Sequence, residues 1–323
     1  MRQVETTIGS APVSAIGFGC ASLGSRIGRS ASDAALEQSL AAGITWFDVA
    51  PSYGDGNAEA ILGAFAARHP GAVNICTKVG ILARPAGWKA LVRPIARGVI
   101  KAVPSMRGYA TAARTVAHLP LTPEGITRSV DNSLVRLGKE RLDLLMLHDP
   151  LAADVVGDEV LVTLEGLKAA GKVAVVGVAG DLAAARLAAT RPETYAALQF
   201  ANNPYEPNAQ ADFLPAWRAA GRLVITHSAL GAHGALLRLA IQLRDDAETA
   251  RLLAISGYEG NAGAASFLTD YALATNPQGV TLFSAATPHH LTALVTRTAT
   301  DGQELRALAV TVAARSAVAA KRS

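Results

Sequence analysis

The sequence has 323 residues, of which 50% are hydrophobic and 17% charged, with 30 lysines and arginines against 26 aspartates and glutamates. This balance excludes a disordered chain, which needs low hydrophobicity and high net charge, and a net charge of +4 does not predict nucleic-acid binding. No uncharged apolar run reaches the ~18 residues of a membrane span. The first residues contain no apolar signal-peptide segment, and two cysteines cannot form a disulfide framework. We therefore expect a cytoplasmic protein without an integral membrane segment.

Short apolar runs alternate along the chain with stretches rich in alanine and leucine. Eight of the runs have the composition of buried parallel strands. They are residues 13–18, 44–49, 73–77, 142–147, 173–178, 196–200, 223–226 and 280–283. Helices are predicted between them, at residues 31–42, 124–137 and 158–170. The second of these helices follows Thr122-Pro123 and stops at Gly138, and these residue types are favoured at the two ends of a helix.

Eight strand–helix units can close into a (β/α)8 TIM barrel or spread into a doubly wound open sheet. No G-x-G-x-x-G turn joins an early strand to a helix, because residues 16–20 match that motif only in part. This favours the barrel. The first eleven residues, with a turn at residues 9–12, can form a hairpin at the barrel bottom. Without a linker or a repeat, residues 1–323 are predicted to form a single domain.

Two connections are longer than usual for this class of fold. Residues 84–121 follow the third predicted strand and residues 231–261 follow the seventh, so we expect long loops there that act as lids or binding loops. The first insertion is rich in arginine and lysine and contains no aspartate or glutamate. An anionic substrate, a weak membrane-surface contact and a solvated helix face all remain open for it.

Polar residues at the ends of the second, third and fourth strands carry the chemistry, since barrel active sites lie at the carboxyl ends of the strands. They are Asp48 and Tyr53, Lys78, and His148. An ammonium group lowers the pKa of a nearby phenol, an aspartate can hold that ammonium, and a histidine can orient a carbonyl oxygen. The set predicts proton transfer at Tyr53. Individually, Lys78 with Asp48 could be an interior ion pair, and His148 a core residue.

Three motifs resemble those of the aldo-keto reductase superfamily, with similarity from about residue 13 to 300. They are Phe47-Asp48-Val49-Ala50-x-x-Tyr53-Gly54-x-Gly56-x-x-Glu59, Thr77-Lys78 and Asp143-Leu144-Leu145-x-x-His148. The resemblance implies that Tyr53 is the general acid/base, that Lys78 and Asp48 adjust it and that His148 orients the substrate. It implies hydride transfer between NAD(P)H and an aldehyde or ketone, or the reverse reaction on a sugar lactol or an alcohol. Among family members, bacterial sugar-lactol dehydrogenases and related broad-range reductases look most similar.

The same resemblance implies a set of cofactor contacts. These positions are Gln199, His227, Ser228, Leu230, Gly231 and Ser284. Several family features are changed: Ala179-Gly180 replaces a serine and an asparagine that hold the nicotinamide carboxamide, and His227 replaces a stacking aromatic residue. After the eighth strand, Ser284, His290, Ala293 and Leu294 offer no fixed cation for the 2′-phosphate of NADP.

Three interpretations of these changes stay open. The protein could prefer NAD, Arg238 or Arg244 could replace the missing cations, or the nicotinamide could have been lost. The last case predicts a redox-neutral dehydratase, isomerase or cyclase on the same barrel, and a non-catalytic binding protein is a third class. His289-His290 lacks a third ligand, so no metal site is predicted. The substrate, the direction of reaction and the oligomeric state remain open.

Overall fold

The computed structural model describes residues 2–6, 8, 12–81, 121–231, 234–284, 288–297 and 302–320. A two-stranded antiparallel sheet, β1 (Gln3–Val4) and β2 (Val13–Ser14), precedes a closed barrel of eight parallel strands. The barrel strands are β3 (Ile16–Gly19), β4 (Trp46–Asp48), β5 (Asn74–Val79), β6 (Leu142–His148), β7 (Val173–Ala179), β8 (Tyr195–Ala201), β9 (Leu223–His227) and β10 (Val280–Phe283). They pair in chain order and β10 closes on β3. The predicted (β/α)8 barrel is confirmed, and each predicted strand overlaps an observed one.

Helices follow the strands around the outside of the barrel. They are α1 (Arg29–Ala41), α2 (Ala58–Arg68), α3 (Pro123–Leu137), α4 (Ala152–Val156), α5 (Asp158–Ala169), α6 (Leu182–Ala188), α7 (Leu214–Ala219), α8 (Ala235–Asp245), α9 (Ala247–Ile255), α10 (Gly260–Thr275), α11 (Pro288–Val295) and α12 (Gly302–Ala320). Within the described residues, none of these helices has both the length and the apolar character needed to cross a bilayer.

Helix α3 shows how the sequence fixes its ends. The Thr122 hydroxyl oxygen accepts a hydrogen bond from the backbone N–H of Gly125 at 3.1 Å, and Pro123 occupies the first turn. Gly138 ends the helix with φ 62°, a conformation that costs glycine little. Both predicted end signals are confirmed, and α3 packs against α2 and β5.

The barrel interior is apolar at its amino-terminal end. Trp46, Leu144 and Ile225 pack there in one buried cluster with residues of the N-terminal hairpin: Val4, Ile8 and Val13. Because β2 leads directly into β3, the hairpin lies at the end of the barrel where the strands begin. The antiparallel pairing of the predicted hairpin is confirmed, and the pair closes the bottom of the barrel. The predicted turn at residues 9–12 lies outside the described residues except for Pro12.

The segment after β9 differs from the expected long loop. Residues 231–261 contain helices α8 and α9 and the first turn of α10. Leu239 and Leu253 pack with Phe267 and Leu268 in a separate core, and burial of these side chains stabilises the helices. The basic insertion, residues 84–121, lies outside the described residues except for Leu121. The single domain over residues 1–323 stays a prediction.

Candidate active site

A cavity of about 920 Å³ opens at the carboxyl ends of the barrel strands. All ten residues predicted from the sequence line it. They are Asp48, Tyr53, Lys78, His148, Gln199, His227, Ser228, Leu230, Gly231 and Ser284. The strand register brings the first of them together, because Asp48 pairs with Cys76 and Lys78 pairs with Met146 on neighbouring strands.

Asp48 and Lys78 form an ion pair in the floor of the cavity. The Lys78 ammonium donates a hydrogen bond to Asp48 Oδ1 and lies 3.4 Å from the Val49 carbonyl oxygen, and both side chains are almost fully buried. Burial lowers the pKa of Lys78, but the Asp48 carboxylate and, less strongly, Tyr53 raise it by more, so the net shift is upward. Lys78 therefore carries a fixed positive charge inside the barrel.

Tyr53 lies in a short helical turn, Tyr53–Gly56, and is partly buried. The Lys78 ammonium nitrogen is 5.0 Å from the centre of its ring. Burial raises the pKa of Tyr53, the Lys78 charge lowers it by less, and Asp48 raises it, so that the net pKa is about 12. The predicted effect of Lys78, which lowers this pKa, is present, but burial outweighs it and Asp48 opposes it, so the net shift is upward. At neutral pH, Tyr53 is a protonated phenol.

A close approach of two backbone segments fixes the Tyr53 turn. Gly54 has φ 61°, and a Cβ atom there would lie 1.8 Å from the carbonyl oxygen of Leu23. Only glycine fits such a position. The turn is therefore held against the loop that follows β3.

His148 completes the group of polar side chains at the end of β6. Its ring centre is 6.0 Å from that of Tyr53, and the two ring planes meet at 85°. Gly80, with φ 130°, lies against its backbone, since a Cβ atom at Gly80 would be 2.8 Å from the His148 carbonyl oxygen. A substrate oxygen between the two rings could contact both the Tyr53 phenol and the His148 imidazole.

Gln199 provides a test of whether a nicotinamide fits this cavity. Its amide nitrogen donates to Asp48 Oδ2 at 3.1 Å, while its amide oxygen is buried and has no hydrogen-bond partner among the described residues. A buried acceptor without a partner is costly. The N–H groups of a carboxamide could supply that partner, and the neighbouring Ala179 and Gly180 leave room for it. The residues present therefore fit the group through Gln199.

The other proposed cofactor positions lie at the end of β9, in the loop that follows it and directly after β10. His227 Nδ1 and the Ser228 hydroxyl are 2.7 Å apart, and Ser228 has φ 60°, a strained conformation for a serine. The Ser284 hydroxyl donates to the Gly19 carbonyl oxygen at 2.9 Å, which joins β10 to β3.

The two arginines considered as substitutes for a phosphate clamp have other partners. Arg238 stacks on Tyr205 with its guanidinium carbon 4.2 Å from the ring centre, and it donates to Ser316. Arg244 is paired with Asp245. Neither residue lines the cavity. In the part of the chain that the structure describes, both arginines therefore have partners away from this cavity, and a phosphate clamp supplied by either of them stays a prediction.

Sequence reasoning assigned no role to Glu59, although it belongs to the motif that carries Tyr53. The structure buries it in contact with Thr77 and Arg136. The partner Arg136 lies 77 positions away in the chain, so no local spacing pattern indicates the pair.

Comparison with known proteins agrees with this geometry. Residues 15–300 match the sequence profile of the Aldo/keto reductase family. Since the match spans most of the chain, the protein belongs to the Aldo/keto reductase family.

Two curated relatives are partial matches. D-threo-aldose 1-dehydrogenase from a Pseudomonas species is 33% identical over 196 residues, which are 55% of this chain and 54% of that protein. 6-Dehydroglucose reductase from Agrobacterium fabrum is 37% identical over 150 residues, 45% of this chain and 42% of that protein. The matched stretches thus span about half the length of these relatives.

Solved structures support the fold. An aldo-keto reductase from Klebsiella pneumoniae in complex with NADPH has a TM-score of 0.69 and 22% identity, covering 97% of this chain and 96% of that one. The glycerol dehydrogenase of Gluconobacter oxydans has a TM-score of 0.68 and 19% identity, covering 97% and 95%. At these identities the likeness establishes the barrel.

Proposed function

We propose that the protein is an oxidoreductase that transfers a hydride between a nicotinamide cofactor and a carbonyl carbon of a small molecule, with Tyr53 as the proton donor. One observation carries this proposal: a protonated phenol, a fixed ammonium and an imidazole meet in one cavity beside a buried amide oxygen that has no partner within the described ranges. The names of the relatives are those of dehydrogenases and reductases, which favours this reaction over redox-neutral chemistry.

When bound, the nicotinamide supplies or accepts the hydride. Gln199 would contact its carboxamide, and Ser228, Leu230, Gly231 and Ser284 would line the remainder of the cofactor site. His227 offers a smaller ring for stacking than a tyrosine would.

The protein's own groups control the proton. In reduction, the Tyr53 hydroxyl gives its proton to the substrate oxygen as that oxygen gains negative charge, and the Lys78 ammonium stabilises the resulting phenolate. His148 orients the same oxygen by hydrogen bonding. After reduction the phenolate regains a proton from solvent. In oxidation the ionised form of Tyr53, which is the minor form at neutral pH, removes the alcohol proton and is regenerated by releasing that proton to solvent.

The relatives' names also favour a small carbonyl compound or sugar as the substrate. D-threo-Aldose, 6-dehydroglucose and L-galactose all appear among them. We propose aldoses, tested in the oxidative direction as cyclic hemiacetals, as the first substrates to examine.

The test pairs cofactor binding with turnover in the wild-type protein and Tyr53→Phe. We expect micromolar binding of NADH or NADPH to both proteins, and a loss of kcat of about 10²-fold or more only in Tyr53→Phe. Absence of binding up to millimolar cofactor would refute the nicotinamide reaction. Equal turnover in the two proteins would refute the role of Tyr53.

A further inference from the structure

A buried carboxylate lies behind the catalytic residues, on the outer side of β5. Glu59 is 1% exposed. Its Oε1 accepts a hydrogen bond from the Thr77 hydroxyl at 2.7 Å, and its Oε2 accepts one from Arg136 Nε at 2.6 Å. We call these three residues, Glu59, Thr77 and Arg136, the Glu59 clamp.

The clamp joins the two chain segments that carry the proton-transfer groups. Glu59 lies in the first turn of α2, directly after the turn that contains Tyr53. Thr77 precedes Lys78 on β5, and because successive side chains of a strand point to opposite faces, Thr77 faces the helices while Lys78 faces the barrel interior. A bond from Glu59 to Thr77 therefore ties the Tyr53 turn to the Lys78 strand.

Arg136 anchors the carboxylate from a third element. It lies in the last turn of α3, which packs closely on α2: a Cβ atom at Gly63 would lie 2.7 Å from the carbonyl oxygen of Arg136. The arginine compensates the charge of Glu59, since a buried carboxylate needs a partner. Glu59 is thus held in place from both sides.

We propose that Glu59 is a positioning residue for proton transfer, fixing the distance between the Tyr53 ring and the Lys78 ammonium through Thr77. This inference rests on the proposed function, because its kinetic effect requires Tyr53 to act as the acid. The ammonium lies 5.0 Å from the ring centre, and Coulomb stabilisation of the phenolate falls as that separation grows. Loosening the clamp therefore slows the chemical step and leaves ligand contacts in the cavity intact.

The experiment uses a matched pair of substitutions at Thr77. Thr77→Val keeps the shape and removes the hydroxyl, whereas Thr77→Ser keeps the hydroxyl that reaches Glu59. We expect kcat to fall about tenfold in Thr77→Val, since small misplacements of reacting groups are costly, with KM and the cofactor Kd within about twofold. Thr77→Ser should retain most of the wild-type kcat. Glu59→Gln keeps an acceptor for Thr77, so its kcat should lie between those of Thr77→Val and Thr77→Ser.

A control separates positioning from general stability. Asp131 also lies in α3, and it forms a salt bridge with Lys172 at 2.6 Å. Asp131→Asn removes this salt bridge, which contacts neither the Tyr53 turn nor β5. It should leave kcat unchanged. Thermal unfolding is measured for every variant, so that kcat is compared for folded protein.

Hydrogen exchange gives a second readout that needs no turnover. Peptides covering the Tyr53–Gly56 turn should exchange faster in Thr77→Val than in Thr77→Ser or Asp131→Asn. Unchanged exchange in that turn, or a lower melting temperature without loss of kcat, would overturn the positioning role. If the wild-type protein neither binds a nicotinamide nor turns over, the proposed function fails, and the exchange result still decides whether the clamp holds the turn.

Discussion

Gln199 Nε2 donates a hydrogen bond to Asp48 Oδ2 at 3.1 Å, and Lys78 occupies the other oxygen of the same carboxylate. Asp48 therefore has a fixed partner on each oxygen, one charged and one neutral. The contact also joins the proposed cofactor anchor to the ion pair beside Tyr53. A single side chain, that of Asp48, therefore lies between Gln199, whose amide oxygen would contact the ligand, and the Lys78 charge beside Tyr53.

Removing Lys78 should destabilise the protein as well as inactivate it. Lys78→Met leaves the Asp48 carboxylate buried beside only a neutral amide, and breaking a buried pair costs about 3–5 kcal/mol. The double variant Lys78→Met/Asp48→Asn should recover part of that loss, since no unpaired charge remains. Urea unfolding measures both values.

The surface pair Lys172–Asp131 is the control for this prediction. Lys172→Met should cost less than about 1 kcal/mol, as exposed ion pairs do. If Lys78→Met also lost less than about 1 kcal/mol, the buried Asp48–Lys78 pair would stabilise the fold no more than a surface ion pair does.

Stability should fall at alkaline pH because several tyrosines are buried as neutral phenols. Burial raises the pKa of Tyr53, Tyr205 and Tyr271 to about 12 each, against about 10 in an unfolded chain. Their contribution is complete below pH 10, and it is lost as the pH rises towards 12, because only the unfolded chain then ionises. Urea unfolding at pH 8, 10 and 11 should show that the free energy of unfolding declines between pH 10 and pH 11.

Tyr205→Phe provides the comparison for the alkaline decline. This variant loses the hydrogen bond from Tyr205 to Gln242, so its stability is lower at pH 8, but its slope above pH 10 should be shallower than that of the wild type. Identical slopes would contradict the assignment of the decline to buried phenols.

Gly54→Ala should damage both the fold and catalysis. The left-handed backbone costs an alanine about 1 kcal/mol, and the added Cβ atom would meet the Leu23 carbonyl oxygen, so the total loss should be about 3 kcal/mol. Because the turn carries Tyr53, kcat should fall more than tenfold. Chemical unfolding and steady-state kinetics measure the two effects.

Gly71→Ala is the matched variant for Gly54→Ala. Gly71 has φ 75°, but nothing lies within 4 Å of the position of its Cβ atom, so it should cost only the backbone strain and leave kcat intact. Equal losses in the two variants would mean that the close approach to Leu23 has no energetic role.

The protein should bind NADPH no more tightly than NADH. Arg238 and Arg244 contact other residues, and Ser284, Ala293 and Leu294 carry no charge. A charge-assisted bond to the 2′-phosphate is worth about 1.5–3 kcal/mol, so a site that lacks one at these described positions lacks a preference of tenfold or more. Isothermal titration should give Kd values for the two cofactors within about threefold.

Gln199→Ala tests the other end of the cofactor. It should weaken NADH and NADPH equally, because the carboxamide is common to both. A preference of tenfold or more for NADPH in the wild-type protein would indicate a phosphate contact from another cation, either Arg26, which lines the cavity, or one outside the described residues.

The barrel and the location of its site follow from local features of the sequence. Each strand is a short apolar run that ends in a polar residue, such as Asp48 or His148. Because all strands of the barrel are parallel, these polar residues lie together at its carboxyl end. The caps of α3 are equally local, since Thr122 and Gly138 act on neighbouring backbone groups. These features require no knowledge of which distant segments meet.

The remaining features depend on burial and on distant contacts. The net pKa of Tyr53 is raised because burial of the phenol outweighs the lowering by Lys78, and the extent of burial depends on the folded structure. The Glu59–Arg136 pair and the Gln199–Asp48 bond join positions 77 and 151 residues apart. The residues after β9 form helices because Leu239 and Leu253 find a second core, which spacing alone does not reveal.

The hairpin at the start of the chain closes one end of the barrel with Val4, Ile8 and Val13, so molecules enter and leave the cavity through the same mouth. Gln199 is 2% exposed and lies below the rim residues such as Ser284. A molecule bound to Gln199 would be covered by a second molecule bound above it. The molecule at Gln199 would then have to bind first and dissociate last, so the steady-state kinetics would follow an ordered mechanism.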